Sequence, residues 1–100
     1  MRPYLITEPA SEDLNQIWDY LAEVDVRRAD RVLAGIEDAI RKIVKRPGMG
    51  HYRPDLTSKR LRFYLVSPYL IVYQPDTKPL QVRRVLHGAR DAETLLSLPD

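Results

Sequence analysis

Apolar positions recur at two different spacings along the chain, and each spacing predicts a different element. Pro3 to Thr7 reads as a short first strand with Tyr4-Leu5-Ile6 as its apolar content. Thr7 or Glu8 then precedes Pro9, a residue well suited to a helix's first turn. Ala10, Leu14, Ile17, Trp18 and Leu21 fall three or four residues apart, which predicts a helix from about Pro9 to Glu23. Asp25 is placed to cap a second helix, from about Val26 to Arg46, with Ala29, Val32, Leu33, Ile36, Ile40, Ile43 and Val44 on one stripe. Lys45 and Arg46 suit the negative end of its dipole, and Pro47-Gly48 stops it. The short link around Val24-Asp25 makes the two helices an antiparallel hairpin.

Pro47 to Ser58 is rich in Gly, Pro and polar residues and reads as a loop. A spacing of two takes over at Leu61. Leu61 to Val66 is a strand, Ser67-Pro68 a tight turn and Tyr69 to Gln74 the hairpin partner. Alternation puts Leu61, Phe63 and Leu65 on one face and Arg60, Arg62 and Tyr64 on the other. The partner strand is apolar both ways, Ile71 and Tyr73 against Leu70 and Val72, as expected of an inner strand covered on both faces. After the turn-prone Asp76-Thr77-Lys78-Pro79, a last strand starts at Leu80 and ends at Gly88, where a residue without a side chain can turn the backbone. Ala89 to Leu98 suits a short closing helix, with Ala92, Leu95 and Leu96 apolar. The order predicts an α+β domain: an N-terminal strand, an antiparallel helical hairpin, a three-stranded antiparallel meander with the first strand alongside it, and a short C-terminal helix.

Composition narrows the chemistry. One hundred residues suit one domain spanning 1–100. The absence of cysteine rules out disulfides, thiolate metal sites and cysteine nucleophiles, and two histidines, His51 and His87, are too few for a histidine-based zinc centre. No apolar run approaches the ~20 residues that span a bilayer, and the N-terminus lacks a signal-peptide core. A reducing cytoplasm is the expected compartment, with no membrane, metal or cofactor. Net charge is +2, unevenly spread. Arg41 to Arg62 carries eight basic residues against the single acid Asp55, a local +7, whereas Glu8 to Glu23 carries five acids and no Lys or Arg. That asymmetry suits either association with a polyanion or acidic partner, or a solvated surface with charges matched at helix ends. Arg83, Arg84, His87 and Arg90 gather four potential cations at the end of the last strand. Buried unpaired they would be costly, so they should face solvent, carboxylates or a polyanion. Asp13 and Asp19 read as exposed helix acids.

Four strings, in order, resemble the ParE/RelE superfamily of bacterial toxins from toxin–antitoxin pairs. Ala10-Ser11-Glu12-Asp13-Leu14-Asn15-Gln16-Ile17-Trp18-Asp19-Tyr20 is similar to its A-x-x-D-L-x-x-I-x-x-Y pattern, and Pro47-Gly48-Met49-Gly50 to its turn after the second helix. Tyr69-Leu70-Ile71-Val72-Tyr73 matches Y-x-I-x-Y, and Arg84-Val85-Leu86-His87-Gly88-Ala89-Arg90-Asp91 resembles the R-V-L-H-G-x-R-D ending of the ParE branch. The resemblance implies a toxin that traps DNA gyrase on cleaved DNA without being an enzyme. Arg83, Arg84, His87 and Arg90 would face that target. A ParD-like antitoxin would bind Leu14, Trp18, Leu21, Leu33 and Ile36, giving a heterotetramer or larger complex.

The RelE branch implies an alternative, a metal-free endoribonuclease cutting messenger RNA on the ribosome. Its strand lysines align with Leu61 and Phe63, its strand arginine with Leu70 and its C-terminal tyrosine with Leu96; only the arginine after the glycine is kept, as Arg90. A one-residue slip would bring in Arg60 and Arg62 on the other sheet face, to act with His87 and Arg90. A relative that binds an antitoxin without being toxic is the third reading. Trp18 suits core or helix–sheet packing ahead of an antitoxin groove, Tyr69 and Tyr73 suit packing rather than base stacking, and His87 suits holding the Gly88 turn.

Overall fold

The computed structural model describes residues 3–55 and 60–97, Leu96 by its backbone alone. Thr7 ends β1 (Tyr4–Ile6) and caps α1 (Glu8–Ala22), its hydroxyl accepting from the Ala10 amide. Asp25 caps α2 (Val26–Lys45) by accepting the Arg27 and Arg28 amides. A single 3₁₀ turn at Pro47–Met49 leads into β2 (His51–Tyr52). β3 (Arg62–Val66), β4 (Tyr69–Gln74) and β5 (Leu80–His87) form the meander, and α3 (Ala92–Leu96) follows. The expected α+β order is borne out.

The sheet runs β1-β5-β4-β3-β2, with β1 parallel to β5 and every other pair antiparallel. Two apolar cores lie on its faces. Ile17, Ile36, Ile40 and Ile43 of the helical hairpin pack on Tyr69, Ile71, Tyr73, Val82 and Val85. Leu61, Phe63, Val72 and Leu86 pack on the other face beneath Leu95 of α3. The two-sided apolar pattern of β4 follows from this: Ile71 and Tyr73 serve one core and Val72 the other.

Four expectations are corrected. The loop after α2 contains a strand: His51 and Tyr52 pair with Phe63 and Arg62, so among the described residues the sheet has five strands, not four. Two residues are too few to show a period, and side chains from elsewhere hold the segment. Tyr73 Oη accepts the Gly50 amide at 2.9 Å and donates to the Pro47 carbonyl at 2.7 Å, while Arg62 donates to the Gly48 and Gly50 carbonyls. Leu65 does not share the burial of Leu61 and Phe63; it is 61% exposed, and among the described residues it lies outside the cluster that those two form with Val72, Leu86 and Leu95. Asp13 is not a solvated helix acid but is 8% exposed. The closing helix is shorter than expected, and Leu98 lies outside the described residues.

The reason for burying Asp13 lies at the edge of β5. β1 ends opposite Val82, and among the described residues no strand pairs with the rest of β5 on that side. Thr7 takes over first: its amide donates to the Val82 carbonyl and its hydroxyl proton points between the Val82 and Arg83 carbonyls. Asp13 Oδ2 then accepts the Val85 amide at 3.0 Å. Asp91 closes the end, accepting the His87 amide at 2.7 Å and donating its own amide to the His87 carbonyl. Edge groups that would otherwise be buried without partners are satisfied by α1 and the turn after β5.

Candidate functional site

A cleft of about 380 Å³ opens where α1 passes the end of β5, lined by Asp13, Gln16, Tyr20, Arg84, Arg90 and Thr94 among others. Its walls come from the helix string around Asp13 and Tyr20 and from the string that begins at Arg84. Asp13 and Tyr20 lie seven residues apart, two helical turns, so they share the face of α1 turned to β5. The β4–β5 register slips between Val72 and Tyr73 of β4, which leaves Arg83 of β5 as an extra residue. Such a bulge bends the strand and redirects its side chains. Arg83 donates to Gln74 Oε1 at 3.1 Å and does not line the cleft.

Arg84 reaches Asp13 with both arms of its fork, Nε to Oδ2 at 2.7 Å and Nη2 to Oδ1 at 2.9 Å. The hydrogen bond to Asp13 raises the guanidinium's pKa above its ordinary value, against the opposing effect of burial. Arg84 is therefore a structural cation first. His87 is likewise engaged: Nδ1 accepts the Ala89 amide at 3.2 Å and the Arg90 amide at 3.1 Å, and its ring meets Tyr69 edge-on at 5.6 Å. The turn at Gly88 is held by this side chain and by Asp91, as the holding role for His87 predicts. Glycine freedom has no part in it, since no described glycine has a positive φ.

Arg90 differs from the other three. Its side chain is exposed and its guanidinium carbon lies 4.4 Å from the centre of the Tyr20 ring, itself 52% exposed. Tyr20 was legible only as the last residue of the helix string; its contact with Arg90 required the fold.

The four residues of the ribonuclease alternative do not converge. Arg62 stands opposite Tyr73, whereas His87 stands opposite Tyr69, which in turn faces Val66. Arg62 and Val66 are four strand positions apart, about 13 Å along the axis. Arg62 also packs its guanidinium 4.0 Å from the Tyr52 ring centre. Leu61 and Phe63, where the RelE pattern has lysines, are 4% and 3% exposed in the second core.

A second cleft, about 280 Å³, lies between the helices and β1, lined by Tyr4, Ile6, Leu14, Leu33, Ile36 and Ile40. Three of the five residues expected to meet an antitoxin line it: Leu14, Leu33 and Ile36, the last at 1% exposure belonging to the core. Leu21 packs partly buried against the same core, and Trp18 ties the hairpin together, donating Nε1–H to Asp30 at 2.9 Å. Among the described residues, no group of three or more His, Asp or Glu side chains is placed to hold a metal, and no helix is long and apolar enough to cross a membrane.

A family model described as the ParE toxin of the type II toxin-antitoxin system, parDE, matches residues 4–92. Among solved structures, the chromosomal ParDE TA system from P. aeruginosa superposes with a TM-score of 0.70 at 21% identity, covering 84% of this chain and 92% of that one. At that identity the likeness is one of fold. No curated protein matches the chain.

Proposed function

The chain belongs to the family of ParE toxins of type II toxin–antitoxin systems, and we propose that as a single cytoplasmic toxin domain it inhibits DNA gyrase by trapping the enzyme on cleaved DNA. The action is by binding, without bond chemistry on the toxin. The Arg90-bearing turn, with Arg83, Arg84 and His87 behind it, forms the target-facing surface. A cognate ParD-like antitoxin neutralises the toxin by laying an amphipathic helix over the apolar cleft of Leu14, Leu33 and Ile36, in a heterotetramer or larger complex.

The observation that carries this reading over the ribonuclease is the separation of Arg62 from His87. Metal-free cleavage of a ribose–phosphate backbone needs a base, an acid and cations within reach of one phosphate. Here the candidate cations sit at opposite ends of the meander, and Arg62 is engaged by backbone carbonyls. The cleft beside Arg90, by contrast, brings the helix string shared by the superfamily together with the ending that resembles the ParE branch.

The test is a gyrase cleavage assay with purified protein, gyrase, supercoiled plasmid and ATP. Dose-dependent, protein-linked DNA breaks are expected. Folded protein that yields no breaks, together with in-frame cuts in translated messages after induction, would replace this reading with the ribonuclease.

A further inference from the structure

Arg90 is held at both ends. Its backbone amide donates to His87 Nδ1 at 3.1 Å, and its guanidinium lies over the Tyr20 ring, 4.4 Å from the centroid. An exposed arginine ordinarily samples many rotamers, and freezing them on binding costs free energy. A ring that already holds the guanidinium removes part of that cost before the target arrives. Arg90 remains exposed with its guanidinium over the ring, so its N–H donors can still meet a target.

The position of Tyr20 is itself fixed from the fold. Two turns earlier on the same helix face, Asp13 fastens α1 to β5 through Arg84 and the Val85 amide. The spacing between α1 and the Gly88–Asp91 turn is thereby set, and Tyr20 meets Arg90 across the cleft. Tyr20 is half-exposed. An aromatic residue thus stays partly in water at the mouth of a polar cleft, where a purely structural role would favour burial.

We infer that Tyr20 is a positioning residue for Arg90 in target binding: it holds the guanidinium in its binding orientation through its ring face, with no role for its hydroxyl. This inference rests on the gyrase reading above and names a residue of the same surface on a different element.

The experiment compares wild type, Tyr20→Phe, Tyr20→Leu, Tyr20→Ala, Arg90→Ala and the Tyr20→Leu/Arg90→Ala double variant in the plasmid cleavage assay, reading the concentration that gives half-maximal trapped breaks. Circular dichroism and thermal midpoints establish that each variant is folded. Tyr20→Phe keeps the ring and should match wild type. Tyr20→Leu keeps apolar bulk without the ring and should raise the half-maximal concentration about two- to fivefold, the range of an exposed cation–π contact. Tyr20→Ala should do the same, and the leucine change should add nothing once Arg90 is alanine. A wild-type response in Tyr20→Leu beside a weakened Arg90→Ala would overturn the inference and leave the gyrase reading standing. So would additive effects in the double variant, or a Tyr20→Phe as weak as Tyr20→Leu. Folded wild-type protein that traps no breaks would overturn the gyrase reading, and the inference with it.

Discussion

Asp13 and Arg84, 71 residues apart in sequence, form a two-point ion pair whose carboxylate also accepts the Val85 amide. One side chain thus stands in for the missing strand beside β5 and ties the helical hairpin to the sheet. The two members are not equivalent. Removing Asp13 strands both a partly buried guanidinium and a ladder amide, whereas removing Arg84 leaves the carboxylate with its amide donor. Asp13→Ala is expected to lower stability by roughly 2–4 kcal/mol and Arg84→Ala by less, about 1–2 kcal/mol. Urea unfolding of the two single variants and the double checks this, with the double falling short of the sum of the singles. Equal and additive losses would contradict the keystone role of Asp13.

Tyr73 makes a second long-range tie, to the turn that leads into β2. Tyr73→Phe removes an acceptor for the Gly50 amide and a donor to the Pro47 carbonyl, and should cost about 1–2 kcal/mol at neutral pH. Burial raises the hydroxyl's pKa above its ordinary value of 10.0. A raised folded-state pKa means that the folded protein holds the proton more tightly than the unfolded chain. The stability contributed by the protonated hydroxyl is therefore complete below pH 10 and is lost as pH rises through the raised value. The gap between wild type and Tyr73→Phe should narrow above pH 10 in urea titrations, a difference measurement that cancels the other tyrosines. A constant gap into strong alkali would refute it.

Glycine substitution separates the two turns. At Gly50 a Cβ would fall 2.6 Å from Tyr73 Oη, 2.8 Å from Tyr73 Cε1 and 3.1 Å from the Phe63 carbonyl oxygen. At Gly88 the nearest atom would be the Pro68 carbonyl oxygen at 3.6 Å, an ordinary contact, and φ is not positive. Gly50→Ala should therefore destabilise by about 1–3 kcal/mol, an overpacking cost, while Gly88→Ala should stay within about 0.5 kcal/mol of wild type. Thermal unfolding of both variants decides it, and the reverse ranking would contradict the packing described.

These two glycines also mark what the chain discloses before folding. The helical stripe of Ile36, Ile40 and Ile43 and the two-sided apolar run of β4 were legible because burial imposes a period on neighbouring residues. Gly50 was not, because its constraint comes from Tyr73, 23 residues away. The Asp13–Arg84 pair and the Tyr20–Arg90 contact are of the same kind. Both members of each stood out in the helix and C-terminal strings, yet no local pattern says that an acid on a helix will turn inward to an unpaired strand edge. Leu65 fails in the opposite direction: its alternation is regular, but among the described residues it lies outside the cluster that buries Leu61 and Phe63.

Charge reversal at Arg84 and Arg90 distinguishes support of the fold from contact with the target. Arg84→Glu would set a second carboxylate against Asp13, with no cation between them, and should lose roughly 3–5 kcal/mol. In a chain of this size that lowers the thermal midpoint by more than about 10 °C, so loss of toxicity in this variant would reflect unfolding. Arg90→Glu touches an exposed side chain whose described contact is the Tyr20 ring. Its stability should stay within about 1 kcal/mol of wild type, while under the proposed gyrase reading growth arrest on induction and trapped gyrase breaks should both be lost. Growth arrest by folded Arg90→Glu at wild-type strength would remove the turn after β5 from the target-facing surface, and with it the reason for placing that surface at this cleft.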